Sequence, residues 1–255
     1  MLRSRVPVGL RAPRRMRIGR RAAHARAQVP LLLNATARQA GAEFLGTGLL
    51  VAVVVGSGIA AERYSPSDVG LQLLENSIAT AFGLAALVLL LQPVSGAHLN
   101  PLVTLADRLL GASFTPLEIT VRIVAQVAGA IGGAALANAM FGLATTISGK
   151  ERLDAGRLLG EVVATAVLVL LVFGLARTGR VVLVGPAVGA YIGAAYWFTS
   201  STSFANPAVT IGRIVSDSFA GIAPLSALAF IGAQLVGAIV GVGLVSLLFP
   251  RKAST

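Results

Sequence analysis

Cysteine is absent from this chain, so no disulfide, thiolate metal site or thiol nucleophile can form. That absence does not decide the compartment. Histidine occurs only at His24 and His98, which speaks against a histidine-built metal centre. Charge is sparse too: 12% of residues are charged, where a soluble domain carries about a quarter. Acidic residues are rarest, 10 Asp plus Glu against 21 Lys plus Arg, for a net charge of +11. No nucleophile–base pair and no cluster of metal-ligating residues stands out. An enzyme is therefore not expected, nor are a cofactor, a bound metal or a nucleic-acid partner.

What the chain has in excess is apolar. Of its 255 residues 55% are hydrophobic and 29 are Gly, and the mean hydropathy is +0.81. Repeated apolar runs approach the roughly 20 residues that cross a bilayer, and small residues let membrane helices approach closely. The basic residues are unevenly placed. Residues 1–38 hold Arg3, Arg5, Arg11, Arg14, Arg15, Arg17, Arg20, Arg21 and Arg26 and no acid. This stretch lacks the apolar core of a secretory signal. It reads as a disordered basic arm, as an arm touching anionic lipid, or as sequence ahead of a true start near Met16.

Six spans follow, near residues 40–61, 69–91, 117–141, 158–175, 181–198 and 224–248. Between the second and third lies Ala97-His98-Leu99-Asn100-Pro101-Leu102-Val103-Thr104. Between the fifth and sixth lies Ser203-Phe204-Ala205-Asn206-Pro207-Ala208-Val209-Thr210. Asn is a good N-cap and Pro suits the first helical position. Each stretch thus predicts the start of a short helix, over about 100–110 and 206–215. A helix N-terminus carries free N–H groups and partial positive charge, and the Asn side chain adds an NH2 donor. Two such tips meeting inside a membrane would attract polar solutes and repel cations.

The halves match internally. Glu43 corresponds to Glu161, Asn100 to Asn206 and Gln126 to Gln234. Because each repeat has three spans, the second must enter from the opposite face, as in inverted-repeat transporters and channels. The polar segment Ser148–Arg157 separates repeat one, 39–147, from repeat two, 157–250, leaving 251–255 as a tail. The arm, Arg177 with Arg180, and Arg251 with Lys252 fall on one predicted side, so both termini are expected in the cytoplasm of a multi-pass cell-membrane protein.

Paired Asn-Pro motifs within six spans resemble the aquaporin and aquaglyceroporin, or major intrinsic protein, family over about Arg38–Pro250. The first motif is Asn-Pro-Leu rather than Asn-Pro-Ala, a change at the packing position. The resemblance implies an all-α membrane protein: six transmembrane helices and two re-entrant half-helices in an inverted repeat, an aquaporin-like right-handed bundle. It also implies a homotetramer in the lipid bilayer with one pore per subunit. Glu43 and Glu161 are implied to accept backbone N–H bonds from the loops before the half-helices, while Gln126 and Gln234 pack and hydrogen-bond between helices. His98 reads as ordering its loop.

The family's narrowest point uses four positions. The one directly after the second Asn-Pro-Ala, usually Arg, is Val209. A second, three before Asn206, is Ser203. The third falls on Gly193, or on Ala194 if counted without a gap. The fourth falls on Thr80, or on Phe82 by local pattern. Arg213 is expected to lie too far along the half-helix to replace the missing Arg, two turns from Asn206. Loss of its planar donors and charge, with small Thr80, Gly193 and Ser203 around it, predicts a wide gap suited to small neutral polyhydroxylated solutes. Glycerol and undissociated trihydroxyarsenic fit, possible substrates along with water, and the surrounding sequence is similar to bacterial aquaglyceroporins associated with arsenic resistance. A secondary transporter, a water-selective aquaporin and a non-conducting junctional protein are the competing readings.

Overall fold

The computed structural model describes the backbone of residues 16–251 and the side chains of residues 35–251. The expected C-terminal tail, apart from Arg251, and the first 15 residues of the basic arm lie outside the described residues. From Met16 the backbone is helical.

Eight α-helices and two 3-10 turns occur among the described residues, with no strand. They are α1 (Met16–Tyr64), α2 (Val69–Ser95), α3 (Pro101–Leu109), α4 (Pro116–Met140), α5 (Ala155–Arg177), α6 (Val184–Phe198), α7 (Pro207–Gly212) and α8 (Pro224–Leu248). Six segments are long and apolar enough to span a membrane: Ala35–Tyr64 within α1, then α2, α4, α5, Val181–Phe198 and α8. The two helices too short to span, α3 and α7, are those that begin at the Asn-Pro motifs.

Local chemistry sets these boundaries. Asp68 caps α2 by accepting from the Leu71 N–H, and Asp154 caps α5 through the Arg157 N–H. Thr115 and Glu118 form a reciprocal capping box at α4, satisfying two donors that a helix start leaves unpaired. Helix α2 runs past Pro93 and stops at Gly96, whose φ of 86° an L side chain rarely adopts. That extends the span four residues beyond its expected end near 91.

Packing repeats between the halves. A Cβ on Gly237 would lie 2.5 Å from the Val162 carbonyl oxygen, and one on Gly241 would lie 2.7 Å from that of Ala166, so α8 crosses α5 backbone to backbone. Gly129 and Gly133 place α4 just as closely against the Phe44 and Gly48 carbonyls of α1. Such contact is how membrane helices associate without a hydrophobic driving force between them. Phe82, Leu90 and Ile239 point outward, 74%, 66% and 71% exposed, as lipid-facing residues do. The segment between α4 and α5 is folded down: Ser148 N–H donates to the Ile214 carbonyl, and Ala223 N–H to that of Lys150.

Candidate solute pathway

Each short helix is held by a buried carboxylate. Glu43, fully buried, accepts from the N–H groups of His98 (3.1 Å) and Leu99 (2.7 Å), from Ser95 Oγ (2.6 Å) and from Gln126 Nε2 (2.7 Å). Glu161, also fully buried, accepts from the N–H groups of Phe204 (2.8 Å) and Ala205 (2.9 Å) and from Gln234 Nε2 (2.6 Å). Gln126 and Gln234 also donate to Thr104 and Thr210, one turn into α3 and α7. The loops they hold are strained: Ala97, Leu99, Ser203 and Ala205 have φ near +50°. Non-glycine residues adopt that region only when surrounding structure over-determines it, and the carboxylate bonds supply the constraint. The halves differ at one point. Arg122 Nη1 lies 3.8 Å from Glu43, with no equivalent ion pair at Glu161 among the described residues.

The two helix tips meet. Asn100 caps α3 by accepting from the Leu102 N–H (2.9 Å), and Asn206 caps α7 by accepting from the N–H groups of Ala208 and Val209 (3.0 and 3.3 Å). The side-chain amides cross over. Asn100 Nδ2 donates to the Ala205 carbonyl (2.8 Å) and Asn206 Nδ2 to the Leu99 carbonyl (2.7 Å). Each amide has two N–H bonds, so one remains without a protein partner among the described residues. Pro101, Leu102, Pro207 and Ala208 are all buried, the third-position Leu102 within the apolar core.

A cavity of about 80 Å³ passes these tips. A water needs only about 10–15 Å³ on that scale, so the space holds a short file of small molecules. Asn100, Asn206 and the residues before them line it at the middle. Leu84, Val88, Val184 and Val188 form an apolar wall, and Thr80, Tyr196, Ser203, Val209 and Arg213 line it elsewhere. Glu43, Glu161, Gln126 and Gln234 are not among the lining residues. His98 lines the cavity and is also tethered, Nδ1 3.1 Å from Thr104 Oγ1 and Nε2 3.2 Å from Asp107.

Known proteins share this chain's sequence and fold. A family model described as Major intrinsic protein matches residues 33–204 and 198–255. The chain belongs to the major intrinsic protein family. It is 47% identical over 208 residues to aquaglyceroporin AqpS of Rhizobium meliloti, covering 81% of this chain and 88% of that one. A shorter match, 43% over 100 residues, covers 39% of this chain and 34% of the glycerol uptake facilitator protein of Escherichia coli. The aquaglyceroporin structure from Plasmodium falciparum superposes with a TM-score of 0.63 over 84% of this chain and 96% of its own, at 18% identity, which speaks to the fold alone.

Against the family's filter positions, the structure treats the expected residues unequally. Thr80, Ser203 and Val209 line the cavity, each at most 5% exposed. Phe82, the alternative to Thr80, faces outward. Gly193 does not line it: a Cβ there would lie 2.9 Å from Ala81 Cβ, so this face of α6 packs against α2. Ala194 is exposed. Instead α6 presents Ile192 and Tyr196, and the Tyr196 hydroxyl lies 3.1 Å from Thr80 Oγ1.

Arg213 departs furthest from expectation. Its backbone is past the end of α7, but its side chain reaches back toward the loop that precedes the helix. The guanidinium carbon lies 3.4 Å from the Phe204 ring centroid, Nε donates to the Ala220 carbonyl, and the residue lines the cavity at 2% exposure. Helical side chains lean toward the N-terminus, so the two-turn axial distance from Asn206 overstated how far this charge lies from the loop before the helix. Nearby, Arg152 donates to the Phe219 and Gly221 carbonyls and Lys150 to the Phe219 carbonyl. Burial pushes the Arg152 guanidinium down to about 10, helped by Arg157. Tyr196, Phe204 and Arg213 were not among the candidate lining residues. A charged residue in a membrane-inserted stretch is a functional candidate by default, and that signal pointed to Arg213.

Proposed function

We propose that the protein is a passive channel for small uncharged solutes, and that polyhydroxylated molecules such as glycerol, undissociated trihydroxyarsenic and, at lower size, water are its cargo. The observation that carries this reading is the crossed pair of Asn100 and Asn206 amides facing one cavity. Two helix N-termini with spare N–H donors favour solute oxygens and oppose cations. The apolar wall opposite suits the carbon side of a polyol. Ser203 Oγ is buried and has no protein partner, an acceptor and donor left available beside the pathway. Trihydroxyarsenic presents three hydroxyls in a volume close to that of glycerol, which is why it enters the same class.

Ion-coupled transport is less well supported. Its coupling carboxylate would come from Glu43, Glu75 or Glu161, and none of them lines the cavity; Glu43 and Glu161 are fully buried and bonded to loop N–H groups, and Glu75 accepts from Ser65 Oγ. The cavity-lining filter positions Thr80, Ser203 and Val209, with Ile192 and Tyr196 on α6, are assigned here as the solute-discriminating region, and Glu43, Glu161, Gln126 and Gln234 as its scaffold. A homotetramer in the cell membrane with cytoplasmic termini completes the reading.

Stopped-flow light scattering on proteoliposomes tests it. Water, glycerol and arsenite fluxes are expected to exceed those of empty vesicles, without saturation and without dependence on an ion gradient. Flux that saturates and follows an ion gradient would favour the transporter instead.

A further inference from the structure

We infer that Arg213, stacked on Phe204, is a specificity-determining residue of the pathway and supplies from α7's far end the fixed cation that Val209 cannot. The inference rests on the channel reading above and names the charge that polices it. Val209 and Arg213 are four residues apart, so both side chains project on one side of the helix, and both line the same cavity. The guanidinium is fastened at two points, its carbon over the Phe204 ring and its Nε to the Ala220 carbonyl. Its two terminal nitrogens have no hydrogen-bond partner among the described residues, and no carboxylate pairs with it there. A buried guanidinium usually has a carboxylate partner. One that lacks it and lines a passage keeps donors and charge for whatever passes.

Phe204 is the positioning residue. Its N–H is tied to Glu161, and its ring packs edge-on against Phe230 with centroids 5.2 Å apart. The carboxylate that shapes the loop thereby also sets the ring on which the cation rests. Arg152 flanks the same ring at 5.4 Å, so it is a cation platform and not an open apolar wall. Across the passage the Thr80 and Tyr196 hydroxyls are bonded to each other. The ring that discriminates solutes is therefore Thr80, Tyr196, Ser203 and Arg213, with Val209 leaving apolar room on the tip side of the charge. A cation entering from the α7 side meets an unneutralised guanidinium in a low-dielectric site, where like charge is strongly disfavoured. A neutral hydroxylated solute meets donors instead.

Proteoliposomes carrying full-length wild type, Arg213→Met, Arg213→Lys or Phe204→Leu, with a pH-sensitive dye enclosed, test the assignment. Water flux, glycerol flux and proton leak are read on each. Arg213→Met is expected to raise the leak about tenfold, equivalent to about 1.4 kcal/mol of barrier, and to raise the glycerol-to-water ratio. Arg213→Lys should keep the leak low while changing the ratio, since an ammonium neither stacks nor offers a planar fork. Phe204→Leu should raise the leak although the arginine remains. A conducting Arg213→Met protein with wild-type leak and ratio overturns the inference. If that variant does not fold, wild-type ratio and leak in both Arg213→Lys and Phe204→Leu overturn it equally. A wild type that passes neither water nor glycerol defeats the channel reading, whereas a conducting wild type with indifferent variants defeats only the role of Arg213.

Discussion

Asn100 and Asn206 are bound to each other's loops: each side-chain amide donates to the carbonyl of the residue just before the other, at 2.8 and 2.7 Å. Each side chain thus caps its own helix, ties the two repeats together and keeps one N–H uncommitted among the described residues. Replacement by Asp preserves the capping oxygen, removes the crossed donor and adds negative charge between two helix N-termini. Asn206→Asp is expected to fold, to lose cation exclusion and to keep water flux, measured by vesicle leak against osmotic shrinkage. Asn206→Ala should lower stability by about 1–2 kcal/mol through the lost cap alone, read as a lower melting temperature in detergent.

Val209 lines the cavity directly after the second Asn-Pro-Ala. Val209→Arg places a second guanidinium on the face that already carries Arg213. Glycerol flux should fall by about tenfold or more, the effect of roughly 1.4 kcal/mol, with water flux largely spared. Equal loss of both would show that Val209 does not govern discrimination by size.

Glu161 holds its loop without an ionic partner, whereas Glu43 has Arg122 3.8 Å away. Removing either carboxylate leaves two loop N–H groups unsatisfied, at about 1–3 kcal/mol for each buried group, and leaves the Gln amide only its bond to Thr104 or Thr210. Glu161→Ala and Glu43→Ala are both expected to lower the melting temperature sharply. Glu43→Ala should be the worse, because it also strands the buried Arg122, and losing one partner of a buried ion pair costs about 3–5 kcal/mol. Thermal scans of the purified variants decide the order.

Mercurials provide a test of the lining. Without cysteine the wild type should be indifferent to a bulky mercurial. Ser203→Cys places a thiol in a passage of about 80 Å³ and should become inhibited, with recovery on adding a thiol reductant. A Gly193→Cys protein should stay insensitive, because that position faces α2. Inhibition of Gly193→Cys but not Ser203→Cys would reverse the assignment of those two residues.

The amino-acid sequence by itself determined the architecture and the middle of the pathway. Apolar runs of spanning length, two Asn-Pro starts and matched Glu and Gln positions are properties of residue type and spacing, and helix capping reads them locally. Thr80, Ser203 and Val209 could be placed on the cavity by counting from the two Asn residues, because the intervening backbone is regular or repeated. The tertiary structure alone decided which face of α6 turns inward and where the Arg213 charge ends up. Gly193 was drawn against Ala81 because the absent side chain is what lets α6 approach α2, which rotates Tyr196 toward Thr80. Arg213 was carried back to Phe204 by the length and direction of its side chain, and neither an aromatic platform nor a distant carbonyl can be read from sequence spacing.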